Sequence, residues 1–168
     1  MRWFVLQIAP GREMEAAASL TRQGAFIKVP RENRIIRSGG KWIEKEYLLF
    51  PGYVFMAGEY PLPAEDYYKA KETVGVIKFL GVGKPQPISY LEAEYILLLT
   101  PTTSALEPSI VAICEDGSVD VISGILKKLS DRIVSIDKHS RKVKVKLPTL
   151  EKEKITEFSV TIMEKEKF

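Results

Sequence analysis

The residues best placed to do chemistry lie between Lys127 and Lys146. Eight basic side chains crowd this segment: Lys127, Lys128, Arg132, Lys138, Arg141, Lys142, Lys144 and Lys146, with His139 among them. Only Asp131 and Asp137 oppose them there, within a chain whose net charge is only +3. A basic stripe in a nearly neutral chain suits a polyanion, because Lys and Arg heads displace counterions from phosphates. A solvated, lysine-rich sheet face that discourages edge pairing is the competing reading. A second, smaller set of cations, Arg12, Arg34, Arg37 and Lys41, is compatible with DNA contact or with a solvated hairpin rim. Catalysis is not expected. The sole histidine is His139 and the sole cysteine is Cys114, so a nucleophile–base pair would have to join a turn to an interdomain segment. No metal-ligand spacing and no phosphate-binding glycine loop occurs, so neither a metal nor an organic cofactor is expected.

The elements that carry these residues are legible in outline. Val143, Val145 and Leu147 alternate with Lys142, Lys144 and Lys146, which predicts a half-buried strand with its lysines outward. Val119 and Val121, Ile133 to Ile136, and Ile155 to Met163 add further short strands, so a small barrel is expected over 118–168. Upstream, Trp3–Ile8 reads as a buried strand and Arg12–Gln23 as a helix with Met14, Ala17, Ala18 and Thr21 on one face. Ala25–Val29 reads as a returning strand, and Phe50–Met56 as another, entered through the Pro51-Gly52 turn. The Gly39-Gly40 pair predicts a tight hairpin between Arg34–Arg37 and Trp42–Lys45. Helices are expected at Ala64–Glu72 and after Ser89, where Ser89 and Glu92 form a capping-box pattern and Leu91, Tyr95 and Leu98 share a face. The Pro-, Ser- and Thr-rich stretch after Thr100 predicts a linker over 101–117, between an α+β domain at 1–100 and the β domain.

With 168 residues, 45% of them hydrophobic and 28% charged, a globular chain of one medium or two small domains is expected. No apolar run is long enough to span a bilayer, and a lone cysteine is consistent with a reducing, cytoplasmic setting. Tyr53 and Phe55 share one face of the Phe50–Met56 strand. On residue type alone burial is favoured over an exposed partner patch.

An ordered series of motifs resembles the NusG family. The N-terminal part carries Trp3-Phe4-Val5-Leu6, Pro10-Gly11-Arg12-Glu13, Val29-Pro30, Phe50-Pro51-Gly52-Tyr53-Val54-Phe55, Gly75-Val76, Phe79-Leu80-Gly81 and Pro87-Ile88-Ser89 with Glu92. Val121 with Ser123-Gly124, then Ile133–Asp137 and Arg141–Lys146, resemble the family's KOW domain. The resemblance implies an antiparallel sheet flanked by helices that sits on the RNA polymerase clamp helices near the DNA, and a tethered β-barrel that recruits other factors or RNA. It implies an apolar polymerase contact at Phe4, Phe50, Tyr53 and Phe55, with Phe79 beside them, and a monomer with no membrane partner. Housekeeping members use two phenylalanines in the first KOW loop to dock termination factor Rho or a ribosomal protein. Here Ile125-Leu126-Lys127-Lys128-Leu129-Ser130-Asp131 stands there, and missing aromatic anchors weaken that expectation. The turn Asp137–Lys142 instead resembles specialised paralogs, especially the LoaP group of antiterminators, which act on particular operons and recognise leader RNA. Three functions therefore stand at this stage: an RNA-directed antiterminator, a general elongation factor, or a stand-alone RNA-binding module.

Overall fold

A computed structural model describes residues 1–149 and 152–164; residues 150, 151 and 165–168, part of the expected second domain, lie outside the described residues. In chain order the elements are β1 (Arg2–Ile8), α1 (Glu13–Arg22), β2 (Ile27–Lys28), β3 (Arg31–Ser38), β4 (Lys41–Leu48), β5 (Tyr53–Gly58), α2 (Ala64–Lys71), β6 (Val76–Phe79) and α3 (Tyr90–Leu99). They continue with β7 (Ser109–Ile113), β8 (Val119–Ser123), the single turn α4 (Ile125–Lys128), a 3-10 turn at Ser130–Arg132, β9 (Ile133–Asp137), β10 (Lys142–Thr149) and β11 (Lys152–Glu164). The chain forms two compact units, one from Met1–Pro30 with Phe50–Thr103 and the other from Arg31–Leu49 with Ser104–Phe168. These bounds differ from the expected 1–100, 101–117 and 118–168. The hairpin leaves the first unit, and Ser109–Ile113, inside the expected linker, form β7 because Val111 and Ala112 are buried there.

The first unit is α+β. Its sheet has the order β2-β5-β1-β6, with every neighbouring pair antiparallel. Phe4, Leu6 and Ile8 of β1 and Val54 and Met56 of β5 pack with Ala16, Ala17 and Leu20 of α1 and Ala70 of α2. The buried stripe of α1 is thus Glu13, Ala16, Ala17 and Leu20, while the expected face member Met14 is exposed. Spacing of three and four residues favours both stripes, and the large apolar Leu20 decides between them. The Ser89 capping box of α3 is present: the Glu92 amide donates to Ser89 Oγ at 3.1 Å and the Ser89 amide to Glu92 Oε2 at 3.2 Å. Here too the expected face is rotated, because Ile96 and Leu99 are buried and Leu91 is exposed.

The second unit is a small β half-barrel. Its five-stranded sheet runs β8-β7-β11-β10-β9, with β7 and β11 parallel and the other pairs antiparallel. Val143, Val145, Leu147, Phe158 and Val160 face its core with Leu126 and Leu129. Ser109 ties the start of β7 to α4, its Oγ accepting the Leu126 amide at 3.1 Å. Gly124 makes this approach possible. Its backbone has φ 99° and ψ −172°, and a Cβ there would stand 2.5 Å from Ser109 Oγ.

The β3–β4 hairpin pairs from Arg31↔Leu48 to Ser38↔Lys41, and Gly39 and Gly40 both take the positive φ of a type I′ turn. A two-stranded hairpin is marginal alone. This one is anchored by Glu32, whose buried carboxylate accepts the Ser159 amide of β11 at 3.0 Å and pairs with Arg34. Arg34 in turn donates to the Glu157 carbonyl at 3.0 Å, and the Asn33 amide donates to the Leu106 carbonyl at 2.7 Å.

Two outcomes follow from this packing. Gly124→Ala should lower the stability of the second unit by at least about 2 kcal/mol, since that backbone region is nearly exclusive to glycine and Ser109 cannot retreat without losing its bond; urea unfolding of the purified variant measures it. Burial pushes the Glu32 carboxyl above its ordinary value of 4.5, and Arg34 and the Ser159 amide offset this only in part. A raised acid contributes stability that is full below the unfolded value and is lost as pH rises through the folded one. The stability of the wild type relative to Glu32→Gln should therefore decline as pH rises from the ordinary glutamate range through the raised folded value, and parallel pH profiles for the two proteins would refute that role.

Candidate nucleic-acid interface

Alternation along β10 behaves as the residue pattern requires. Val143, Val145 and Leu147 are buried, Lys144 and Lys146 are exposed, and Lys142 is half-buried. The stripe is nevertheless not bare. On β11, Glu157 lies opposite Lys144 in register and reaches Lys142 at 3.7 Å, while Glu153 pairs with Lys146 at 3.0 Å and with Arg132 at 3.8 Å. Asp137 of β9 lies opposite Lys142 on the other side. Arg132, Lys142 and Lys146 thus stand in ion pairs at the surface, each contributing roughly 0–1 kcal/mol. Their acids come from a later strand, so they do not appear in a local charge count.

Uncompensated charge collects instead where the strand pairing ends. In the β9–β10 turn the Asp137 carboxylate accepts the His139 amide at 3.0 Å and the Ser140 amide at 3.1 Å. The Ser140 amide is the main reason that carboxyl titrates below its ordinary range. This brace leaves Lys138, His139 and Arg141 exposed, with Arg141 at φ 56°. Lys138 donates to the Gly117 carbonyl at 3.0 Å. Lys127 and Lys128 are exposed on α4, between the buried Leu126 and Leu129. Among the described residues no carboxylate lies within ion-pair distance of Lys127, Lys128, Lys138, Arg141 or Lys144.

The hairpin cations have unlike surroundings. Arg34 is occupied by Glu32 and the Glu157 carbonyl, and lies 4.7 Å from the Tyr47 ring centroid, so it serves to anchor the hairpin. Arg37 is exposed and stands opposite Trp42. Trp42 is 53% exposed and was not a candidate from the sequence; an aromatic between Lys41 and Lys45 on a polar hairpin was the available signal. Arg12 is exposed in the first unit, just before α1, and a Cβ on Gly75 would stand 3.3 Å from its own Cβ.

The aromatic residues expected to form a polymerase patch are divided by the sheet. In register Phe4 faces Met56 and Val5 faces Phe55, so Phe4 and Phe55 lie on opposite faces. Phe4 meets Phe79 edge-on at 6.4 Å within the cluster on the α1 and α2 side. Phe50 meets Phe55 edge-on at 5.8 Å. Phe4, Phe50, Phe55 and Phe79 are all buried, as residue type favours, and of the five residues expected at an apolar polymerase contact Tyr53 keeps the most accessible surface. The apolar surface that the first unit does offer includes Phe26, 5.8 Å from Trp3, which lines a cavity of about 230 Å³ with Met1, Leu20, Met56 and Ala70.

Among the described residues no group of His, Cys, Asp and Glu could hold a metal ion, and no helix is long and apolar enough to cross a membrane. Residues 1–97 match the family described as "Transcription termination factor nusG". The chain is 29% identical to the transcription termination/antitermination protein NusG of Thermus thermophilus, over 86% of this chain and 88% of that protein. It is 34% identical to the protein of the same description from Haemophilus influenzae, over 57% of each. A solved structure of Thermotoga maritima NusG, described by its domain interaction, superposes with a TM-score of 0.57 at 21% identity, covering 95% of this chain and 93% of that one; it supports the fold. The α+β unit, the half-barrel and these matches together place the chain in the NusG family, as a non-enzymatic transcription termination/antitermination factor.

Proposed function

We propose that this chain is an RNA-directed antitermination and processivity factor: the first unit binds RNA polymerase, and the second binds a structured leader RNA. The observation that carries the RNA reading is the contrast between Lys142 and Lys146 of β10, which are ion-paired, and the cations of the β9–β10 turn and α4, which are not. A solvated sheet face needs no such concentration of free charge at a turn, whereas a phosphate backbone does. Lys127, Lys128, Lys138 and Arg141 contact phosphates, and His139 reaches a base or the backbone. The buried Leu126 and Leu129 leave α4 without exposed apolar anchors, which argues against the docking of termination factor Rho or a ribosomal protein at this loop. The match to the Thermus protein across most of both chains favours a second reading, a general elongation factor that needs no RNA signal. A monomer in the cytoplasm, with non-template DNA passing near Arg12, completes the proposal.

The deciding experiment is terminator read-through in a purified reaction with the cognate polymerase, on templates with and without the leader of the operon beside this gene. Read-through that requires the leader supports RNA direction. Equal read-through on both templates establishes the general factor, and no effect together with no co-elution with polymerase leaves a stand-alone RNA-binding module. Affinity for leader RNA should fall with salt at a log–log slope of about −0.7 to −0.9 per phosphate contacted, and Lys127→Gln with Lys128→Gln should make that slope shallower. For polymerase, Tyr53→Ala is the clean variant and should weaken binding roughly tenfold. Phe55→Ala is not clean, because emptying that buried site costs about 3–5 kcal/mol of stability.

A further inference from the structure

Trp42 is an aromatic ring that the fold holds in place without burying. It is 53% exposed, whereas Trp3 is 6% exposed. The guanidinium of Arg37, its cross-strand partner, lies 5.6 Å from the ring centroid. The guanidinium of Arg141, from the β9–β10 turn, lies 5.3 Å from the same centroid. Both are within the range of cation–π attraction. The hairpin is fixed to β11 by Glu32 and Arg34, and Arg141 by the braced turn, so the three side chains come together without a partner.

A tryptophan can bury roughly 200 Å² of surface. Leaving about half of it in water forgoes apolar burial, and stacking of a single base on the ring would recover it. The neighbours select the partner. Arg37 and Arg141 flank the ring, and the acids on the same face of the hairpin are Glu44 and, farther along, Glu46, which pairs with Arg31. An apolar peptide would have to desolvate these cations, whereas a nucleotide brings a phosphate to meet them. Arginine planes and aromatic rings are also what unstacked RNA loop bases use.

We propose that Trp42 is a stacking platform for an unpaired RNA base, with Arg37 and Arg141 holding the flanking phosphates. The inference rests on the RNA-binding reading above and deepens it: phosphate contacts at α4 and the turn carry no sequence information, and Trp42 is where a base is touched.

The test uses the full chain and three labelled probes: an RNA stem-loop with an unpaired purine-rich loop, a blunt RNA duplex of the same stem, and the DNA version of the stem-loop. Trp42→Ala should weaken stem-loop RNA binding roughly 5- to 100-fold and leave the salt slope unchanged, because no phosphate contact is lost. Trp42→Phe should restore most of the affinity. Arg37→Gln and Arg141→Gln should each make the slope shallower. Tryptophan emission should be quenched by the stem-loop in the wild type and not in Trp42→Ala. About half of the side chain is in water, so the thermal midpoints of both Trp42 variants should stay close to wild type, and a large fall would instead make the ring structural. If Trp42→Ala binds the stem-loop like the wild type while the Lys127/Lys128 variant does not, the platform is wrong and the RNA reading survives. A loss equally large on the blunt duplex also overturns the platform, and equal Trp42-dependent binding of the DNA stem-loop overturns the choice of RNA. No binding of any probe by the wild type removes the RNA reading and the platform together.

Discussion

A carboxylate withdrawn from water must find donors inside the protein, and Glu32 finds them in the Ser159 amide and Arg34. The placement of the hairpin follows from that requirement. Glu32 lies at the open end of β3, so satisfying it seats the root of the hairpin on β11 and leaves the Gly39-Gly40 tip free to project. The bond from the Asn33 amide to the Leu106 carbonyl holds the same root from the other side. Residues from an early part of the chain are thereby committed to the half-barrel, and Arg37 and Trp42 travel with them. This buried acid thus holds the hairpin's side chains on a fixed element of the second unit.

Charge in the half-barrel is sorted by the hydrogen-bond ladder. Along β10 the acids of neighbouring strands come near the lysines: Glu157 lies opposite Lys144 and pairs with Lys142, Glu153 pairs with Lys146, and Asp137 lies opposite Lys142. Where the ladder ends, no strand lies opposite and the cations stand unopposed. The β9–β10 turn is such a place, and Asp137 spends its carboxylate on bracing the backbone rather than on neutralising Lys138 or Arg141. A stable lysine-bearing strand and an adjacent site of free positive charge can therefore coexist on one small sheet.

The first unit resolves its aromatics in the opposite way. Sheet parity sends Phe4 and Phe55 to opposite faces, and both are used to build the unit rather than to present a surface. Family membership establishes a role in transcription termination/antitermination, and the first unit is a well-packed body while the second carries the exposed cations.

Features that depend on near neighbours in the chain were determined by the sequence alone. The outward lysines of β10 follow from alternation, the hairpin turn from Gly39-Gly40, the start of α3 from Ser89 and Glu92, and the family from the order of its motifs. The buried face of α3 was not legible, because apolar residues at Leu91, Ile96, Leu97, Leu98 and Leu99 mark no single stripe and the packing selects Ile96 and Leu99. Nor was β7, whose parallel partner β11 lies far along the chain, or the neutralisation of the β10 lysines by β11. The meeting of Trp42 with Arg141 is of the same kind. Alternation, turn chemistry and caps act over a few residues, whereas burial of a charge or pairing of distant strands depends on which surface arrives opposite, and only tertiary structure decides that.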